Sequence, residues 1–306
     1  MKKTAFRAPS SDGAHTLSGV VYIPDGTPRG IFQVVHGMAE HVGRYDGFMV
    51  KLCEDGWLVC GCDHLGHGGT AKNESELGFI AEKDGWKLLV QDVEVFKRAV
   101  AKEYGVYPYV LMGHSMGSFI VRLAAVMNEP PDKLVVMGTG GPNPAAGAGI
   151  ALASIISAFK GKKSYSAFLE NMAFRGYNDR FKDDPDPDPF SWLSVDKGNR
   201  TRYMEDKHTG FHFTVSALKD LVTLNKKSGE KRCFAAMDKN LPVLLVSGAE
   251  DPVGNYGAGV KQVCDAMKAE GVPAEMKLFD GARHEILNDF CKDEVVRDIL
   301  EFIDRP

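Results

Sequence analysis

Short runs of apolar, often β-branched residues alternate along this chain with longer segments whose apolar positions recur every three or four residues. The short runs, at residues 17–23, 30–36, 57–63, 107–112, 133–137, 242–247 and 274–279, are bounded by turn-forming residues and predict strands. The clearest helical stripe spans 85–104, where Leu88, Leu89, Val93, Phe96 and Val100 fall on one face. Further helices are predicted at 118–127 and 285–303. Strands alternating with helices of this length imply βα units wound around a mostly parallel sheet.

The alternation stops after Gly140. Residues 141–240 carry an Ala/Gly-rich helical run (145–159), a basic knot (Lys160, Lys162, Lys163), the acidic proline run DDPDPDP from Asp183 to Pro189, and further helical pieces. Sheet patterning resumes at Leu241. The expected organisation is therefore a core in two parts, 1–140 and 241–306, with 141–240 inserted as a helical cap or lid over the strand C-termini, where α/β proteins bind ligands. An unrelated helical domain is the alternative. The segment GIALASIISAF is apolar on most sides, which suits a lipid-facing lid and the core of a cap equally.

Composition narrows the chemistry. A chain of 306 residues can bury a substantial core, and a formal net charge of -4 without a concentrated basic stripe argues against nucleic acid as a partner. The six cysteines are scattered through apolar runs with no CxxC, the pattern of reduced packing residues. Lys2 and Lys3 are followed by polar residues where a signal peptide needs an apolar stretch, and no apolar run approaches the roughly 20 residues of a membrane span. A cytoplasmic protein is expected.

The sequence GHSMG, Gly113 to Gly117, follows an apolar strand and precedes a helix, the context of a nucleophile elbow that exposes Ser115 at a helix N-terminus. A serine hydroxyl needs a base, and the base an acid to hold its tautomer. Downstream, GAEDP puts Asp251 just past the strand at 242–247, and GARHE puts His284 just past the strand at 274–279. Glu250 is a rival for the acid; the shorter Asp251, fixed by Pro252, is the better candidate. Acyl transfer also needs amides aimed at the developing oxyanion, and Met116 and Met38 are placed to supply them, with Gly37 letting the loop approach. A metal site built from His36, His41, His64, His67 and Asp63 is the alternative for that region. The spacings match neither H-x-H-x-D-H nor a helical H-E-x-x-H, so no metal is expected.

Taken together, HGMAEHVGRY, DHLGHGGT, GHSMGS, GAEDPVG and GARHEILN, in this order, resemble the monoacylglycerol lipase and lysophospholipase branch of the α/β-hydrolase superfamily, often described as serine aminopeptidase-like. The resemblance covers roughly residues 1–140 and 241–306. It implies an α/β-hydrolase fold, Ser115 as nucleophile, Asp251 as acid, His284 as base, and the Met38 and Met116 amides as oxyanion hole, with no cofactor. It also implies that Glu40 and Arg44 line the pocket for the alcohol half of the substrate. Met38 departs from the small residue common there in animal enzymes, which leaves acyl-chain preference open. The expected activity is a serine ester hydrolase for monoacylglycerols, lysophospholipids or small carboxylic esters, with transient membrane or micelle contact through the cap. An aminopeptidase or amidase of the same fold, an aryl or xenobiotic carboxylesterase, and a non-catalytic binding protein are the rival readings. Of the acidic groups, DDPDPDP is the candidate partner for an amine.

Overall fold

The computed structural model describes residues 1–305. Among these, eight strands form one sheet: β1 (Lys2–Pro9), β2 (Thr16–Ile23), β3 (Ile31–Val35), β4 (Leu58–Cys62), β5 (Tyr109–His114), β6 (Lys133–Met137), β7 (Val243–Gly248) and β8 (Ala274–Phe279), in the order β1-β2-β4-β3-β5-β6-β7-β8. From β4 to β8 every pairing is parallel; β1 and β2 add an antiparallel edge. Ten helices accompany them: α1 (Asp46–Glu54), α2 (Gly85–Tyr104), α3 (Met116–Ala124), α4 (Ala146–Lys160), α5 (Ala167–Phe174), α6 (Lys197–Glu205), α7 (Val215–Ser228), α8 (Lys231–Ala236), α9 (Ala258–Ala269) and α10 (Lys292–Asp304).

Burial explains why the inner strands read as unbroken apolar runs. Every residue of β3, β4, β5 and β7 is buried, because helices cover both sheet faces. Along β3, Ile31 and Val35 join the layer containing Leu89, Val93 and Phe96 of α2 and Ile120 of α3. Phe32 and Val34 point the other way, towards Met49 and Leu52 of α1 and Ile299 and Phe302 of α10. Gln33 is the polar exception and is satisfied, receiving the Tyr109 hydroxyl proton at 2.9 Å and donating to the Val93 carbonyl at 3.2 Å.

The expected strands all form, within two residues of their predicted ends. β5 starts at Tyr109 rather than Tyr107, since Pro108 has no N–H to give the ladder. β1 was not expected. Its sequence KKTAFRAP is polar and mostly exposed, as befits an edge, and Phe6 anchors it edge-on to Phe96 at 5.5 Å. The helix predicted at 118–127 begins earlier, at Met116, and the one predicted at 285–303 is interrupted: a short 3-10 turn at Ile286–Asn288 precedes α10.

Residues 138–242 leave the sheet after β6 and return at β7, its neighbour. They do not form a detached domain. α7 packs against α3 and α2 as well as α4, and Phe213, Val215, Leu218, Leu224 and Phe234 belong to the same buried cluster as the sheet. The run within α4 faces two ways: Leu152 and Ala153 turn inward, whereas Ile155 and Phe159 are exposed.

Candidate active site

The chain order reverses between β3 and β5. From there β4 lies on one side and β6 to β8 on the other, which opens a crevice at the strand C-termini. Ser115 stands at this crevice, between β5 and α3, with φ 55° and ψ −119°. An L-residue is strained in that region. The strain is held by Ser115 N–H donating to the Met137 carbonyl at 3.0 Å and by Ser118 Oγ donating to the Ser115 carbonyl at 2.5 Å. The flanking glycines are dictated by crowding: a Cβ on Gly113 would strike the Gly117 carbonyl, and one on Gly117 the carbonyls of Val35 and His36.

His284 and Asp251 come together from the loops after β8 and β7. His284 Nδ1 donates to Asp251 Oδ2 at 2.9 Å, and both residues are buried. Ser247 Oγ donates to the same oxygen at 3.1 Å, and the Val253 amide to Asp251 Oδ1 at 2.9 Å. Burial alone would raise this carboxyl, but the facing imidazole and these donors hold it below the ordinary carboxylate range. Glu250, the rival, is turned outward, 3.6 Å from Arg180. Trp192 covers the other side of the imidazole, with ring centroids 5.2 Å apart.

After β3 the loop from His36 to Tyr45 is organised by three buried imidazoles. His36 Nε2 accepts from the His64 amide at 3.0 Å, His64 Nε2 donates to the His36 carbonyl at 3.1 Å, and His67 Nε2 accepts from the Ala39 amide at 3.2 Å. Nδ1 of His36 donates to the Gly37 carbonyl and Nδ1 of His67 to the Leu65 carbonyl. Desolvation keeps them neutral, pushing His64 down to about 4 and His67 to about 3. They are therefore loop-ordering groups, with ring nitrogens committed to the backbone rather than to a common centre. The amides on either side of Met38 are also committed, Gly37 N–H to Glu40 Oε1 at 2.5 Å and Ala39 N–H to His67. Met116 is the first residue of α3, so its N–H has no acceptor within the helix.

Glu40 and Arg44, expected at the alcohol half of a substrate, lie in a buried charge network. Glu40 Oε1 also accepts the Tyr45 hydroxyl at 2.7 Å, and Oε2 accepts Arg44 Nη1 at 3.1 Å. Arg44 reaches on to the Glu285 carboxylate, with Nη2 at 2.8 Å from Oε2, and to Asn199 Oδ1 at 3.2 Å, its guanidinium stacked over Tyr203. Desolvation opposes charge here, but Arg44 is held more firmly protonated by Glu285 and Glu40, and Glu40 well below its usual range by His114 and Arg44. Sequence reading missed Glu285, Asn199, Tyr45 and His114. Glu285, His114 and Tyr45 each adjoin a recognised candidate, the only signal available; the pairings span up to 241 residues.

A cavity of about 780 Å³ opens over these groups. Met38, Glu40, Ser115, Met116 and His284 form its floor; Leu152 of α4, Phe174 of α5, and Leu218 and Val222 of α7 form walls that are mainly aliphatic and aromatic. Of the DDPDPDP run, Pro189 alone lines it and none of the aspartates does. Three of its four acids are paired: Asp184 with Arg283 at 2.6 Å, Asp186 with Lys197 at 2.9 Å and Asp188 with Arg200 at 2.7 Å.

A largely parallel eight-stranded sheet in this order, covered by helices on both faces, is the α/β-hydrolase fold. The family model described as "Serine aminopeptidase, S33" matches residues 26–290, and the chain belongs to that family and is a hydrolase enzyme. It is 26% identical to a monoacylglycerol lipase of Mycolicibacterium smegmatis, over 96% of this chain and 98% of that one. It is 28% identical to a monoglyceride lipase of Rattus norvegicus, over 92% and 82%. Among solved structures, a thermostable carboxyl esterase from Bacillus coagulans in complex with glycerol superimposes with a TM-score of 0.91 at 29% identity, covering 99% of this chain and 98% of that one. Among the described residues, no helix is long and apolar enough to cross a membrane.

Proposed function

We propose that this protein is a serine ester hydrolase acting on monoacyl lipids, monoacylglycerols or lysophospholipids, and on simpler carboxylic esters. The observation that carries the reading is the Asp251–His284 hydrogen bond on the floor of a cavity that Ser115 also lines. His284 Nε2 takes the Ser115 proton as Oγ attacks the ester carbonyl, and the oxyanion forms against the Met38 and Met116 amides. The alcohol leaves with the proton from His284. Water, deprotonated by the same imidazole, then cleaves the acyl enzyme. None of these steps calls on a cofactor.

The apolar walls support an acyl chain, and the lipase and esterase names of the relatives support an ester bond. Ile155 and Phe159 of α4, and Phe168 and Met172 of α5, are exposed, in a stretch of chain that also carries Lys160, Lys162 and Lys163, which supports transient contact of the cap with a lipid surface. The six cysteines are buried and unpaired, which supports a reducing, cytoplasmic setting. Against an aminopeptidase, three of the four acids in DDPDPDP, the feature that suggested an amine site, are engaged by basic partners within the protein.

Ser115→Ala is expected to abolish both ester turnover and covalent labelling by a fluorophosphonate probe. Labelling that persists in this variant overturns the assignment. A turnover panel of monoglycerides, lysophospholipids, p-nitrophenyl esters, aryl esters and aminoacyl anilides on the wild-type protein ranks the substrate classes; a preference for anilides overturns the ester reading.

A further inference from the structure

We infer that Glu40, Arg44, Tyr45, His114 and Glu285 are positioning residues that hold the Met38 amide and the His284 imidazole in register with one another. The inference rests on the serine-hydrolase reading above and adds to it the means by which two loops, separated by more than two hundred residues of chain, are kept aligned.

Their contacts close into a ring with two arms. The shared starting point is Glu40, whose Oε1 fixes the Gly37 amide at 2.5 Å, one residue before Met38. In one arm, Glu40 Oε2 accepts Arg44, and Arg44 grips both oxygens of Glu285, the residue after His284. Asn199 Nδ2 adds a bond to Glu285 at 2.6 Å, and the Glu285 amide donates to the Leu193 carbonyl at 2.8 Å. In the other arm, the Tyr45 hydroxyl donates to Glu40 Oε1 and lies 2.9 Å from His114 Nδ1, while His114 Nε2 donates to the His284 carbonyl at 3.2 Å. One arm thus ends on the carbonyl of the base, the other on the carboxylate of the residue that follows it.

The charges explain why the ring is stiff. Two carboxylates and one imidazole are buried and the guanidinium is only 10% exposed, and each needs its partners because a buried charge left alone is strongly unfavourable. A ring closed on itself has a further property: with one arm cut, the other still spans from the oxyanion loop to the base. Losing both releases the two loops independently, and misplacement of a reacting group by about 1 Å can cost roughly 100-fold in rate.

Tyr45→Phe weakens one arm by removing its shared hydroxyl, leaving only the 3.4 Å contact of His114 Nδ1 with Glu40 Oε1; Glu285→Gln weakens the other and keeps its shape. Active sites are counted by fluorophosphonate labelling, so misfolded protein lowers the count rather than the rate per site. Each single variant is expected to lower kcat per labelled site about 3- to 10-fold, and the double variant by more than the product of the two, about 100-fold or beyond, with KM within about twofold. If Glu285→Gln does not fold, Arg44→Lys replaces it, keeping the charge but losing the two-pronged grip.

An unchanged kcat per site in the double variant overturns the inference. So does a purely multiplicative loss, or a rise in KM for monoglycerides with simple esters unaffected, which would return Glu40 and Arg44 to the alcohol pocket. The underlying reading fails separately, if wild-type protein neither labels at Ser115 nor turns over esters.

Discussion

Asp251 accepts the His284 Nδ1 proton at 2.9 Å, whereas Glu250, one residue earlier, faces outward, 3.6 Å from Arg180. Adjacent carboxylates are thus sorted by the turn into a buried partner and a surface one. Asp251→Asn is expected to lower kcat on a p-nitrophenyl ester by up to about 10⁴-fold, by presenting a donor where the imidazole needs an acceptor. Glu250→Gln is expected to stay within about twofold of wild type, the usual scale for surface changes.

Two glycines separate crowding from helix propensity. Gly117→Ala puts a Cβ into the carbonyls of Val35 and His36, and urea melts should show a loss of about 1 to 3 kcal/mol, together with reduced turnover. Gly147, in α4, has only the Lys226 amine near its Cβ position, at 3.8 Å. Gly147→Ala is expected to stabilise by up to about 1 kcal/mol through helix propensity.

Opposite pH dependences are built into neighbouring imidazoles. His64 and His67 have folded values of about 4 and about 3, below the ordinary 6.5; between those limits the unfolded chain binds more protons, so stability falls as pH drops below about 6.5. His114 is raised: burial would lower it, but the Glu40 hydrogen bond and charge outweigh that. Its contribution is complete below about 6.5 and is lost as pH climbs through its folded value. Urea melts between pH 4 and 9 should show the acid limb flattened by His67→Gln and the alkaline limb flattened by His114→Asn.

Leu152 projects from α4 into the cavity. Leu152→Trp should shorten the space for an acyl chain. At about 0.8 kcal/mol per buried methylene, exclusion of three or four methylenes predicts a fall of roughly 100-fold in kcat/KM for long-chain monoglycerides. p-Nitrophenyl acetate turnover should be little changed. Equal losses on both would mean that the acyl chain does not run along α4.

Legibility from sequence followed the range of each interaction. Interior strands were legible because burial on both faces leaves an unbroken apolar run, and Ser115 and Asp251 because each follows such a run; His284 follows β8, a partly exposed edge strand, and was legible from its place just past that strand. β1 was not, since an edge strand with solvent on one side carries Lys2, Lys3 and Arg7 instead of that run. The pairing of Arg44 with Glu285 left no trace in periodicity, being a contact across the whole fold. The loss of strand patterning after Gly140 marked the inserted segment as a cap, but gave no sign that α7 packs against α3 and α2 of the core.

Trp192 packs against His284 from within the inserted segment. The other two tryptophans, Trp57 and Trp86, lie in the sheet core and on α2, so Trp192 alone gives the protein an intrinsic optical probe at the base. Its emission should change when His284 gains a proton or when residues around 192 lift from the crevice, allowing both events to be followed in unlabelled enzyme during a single turnover.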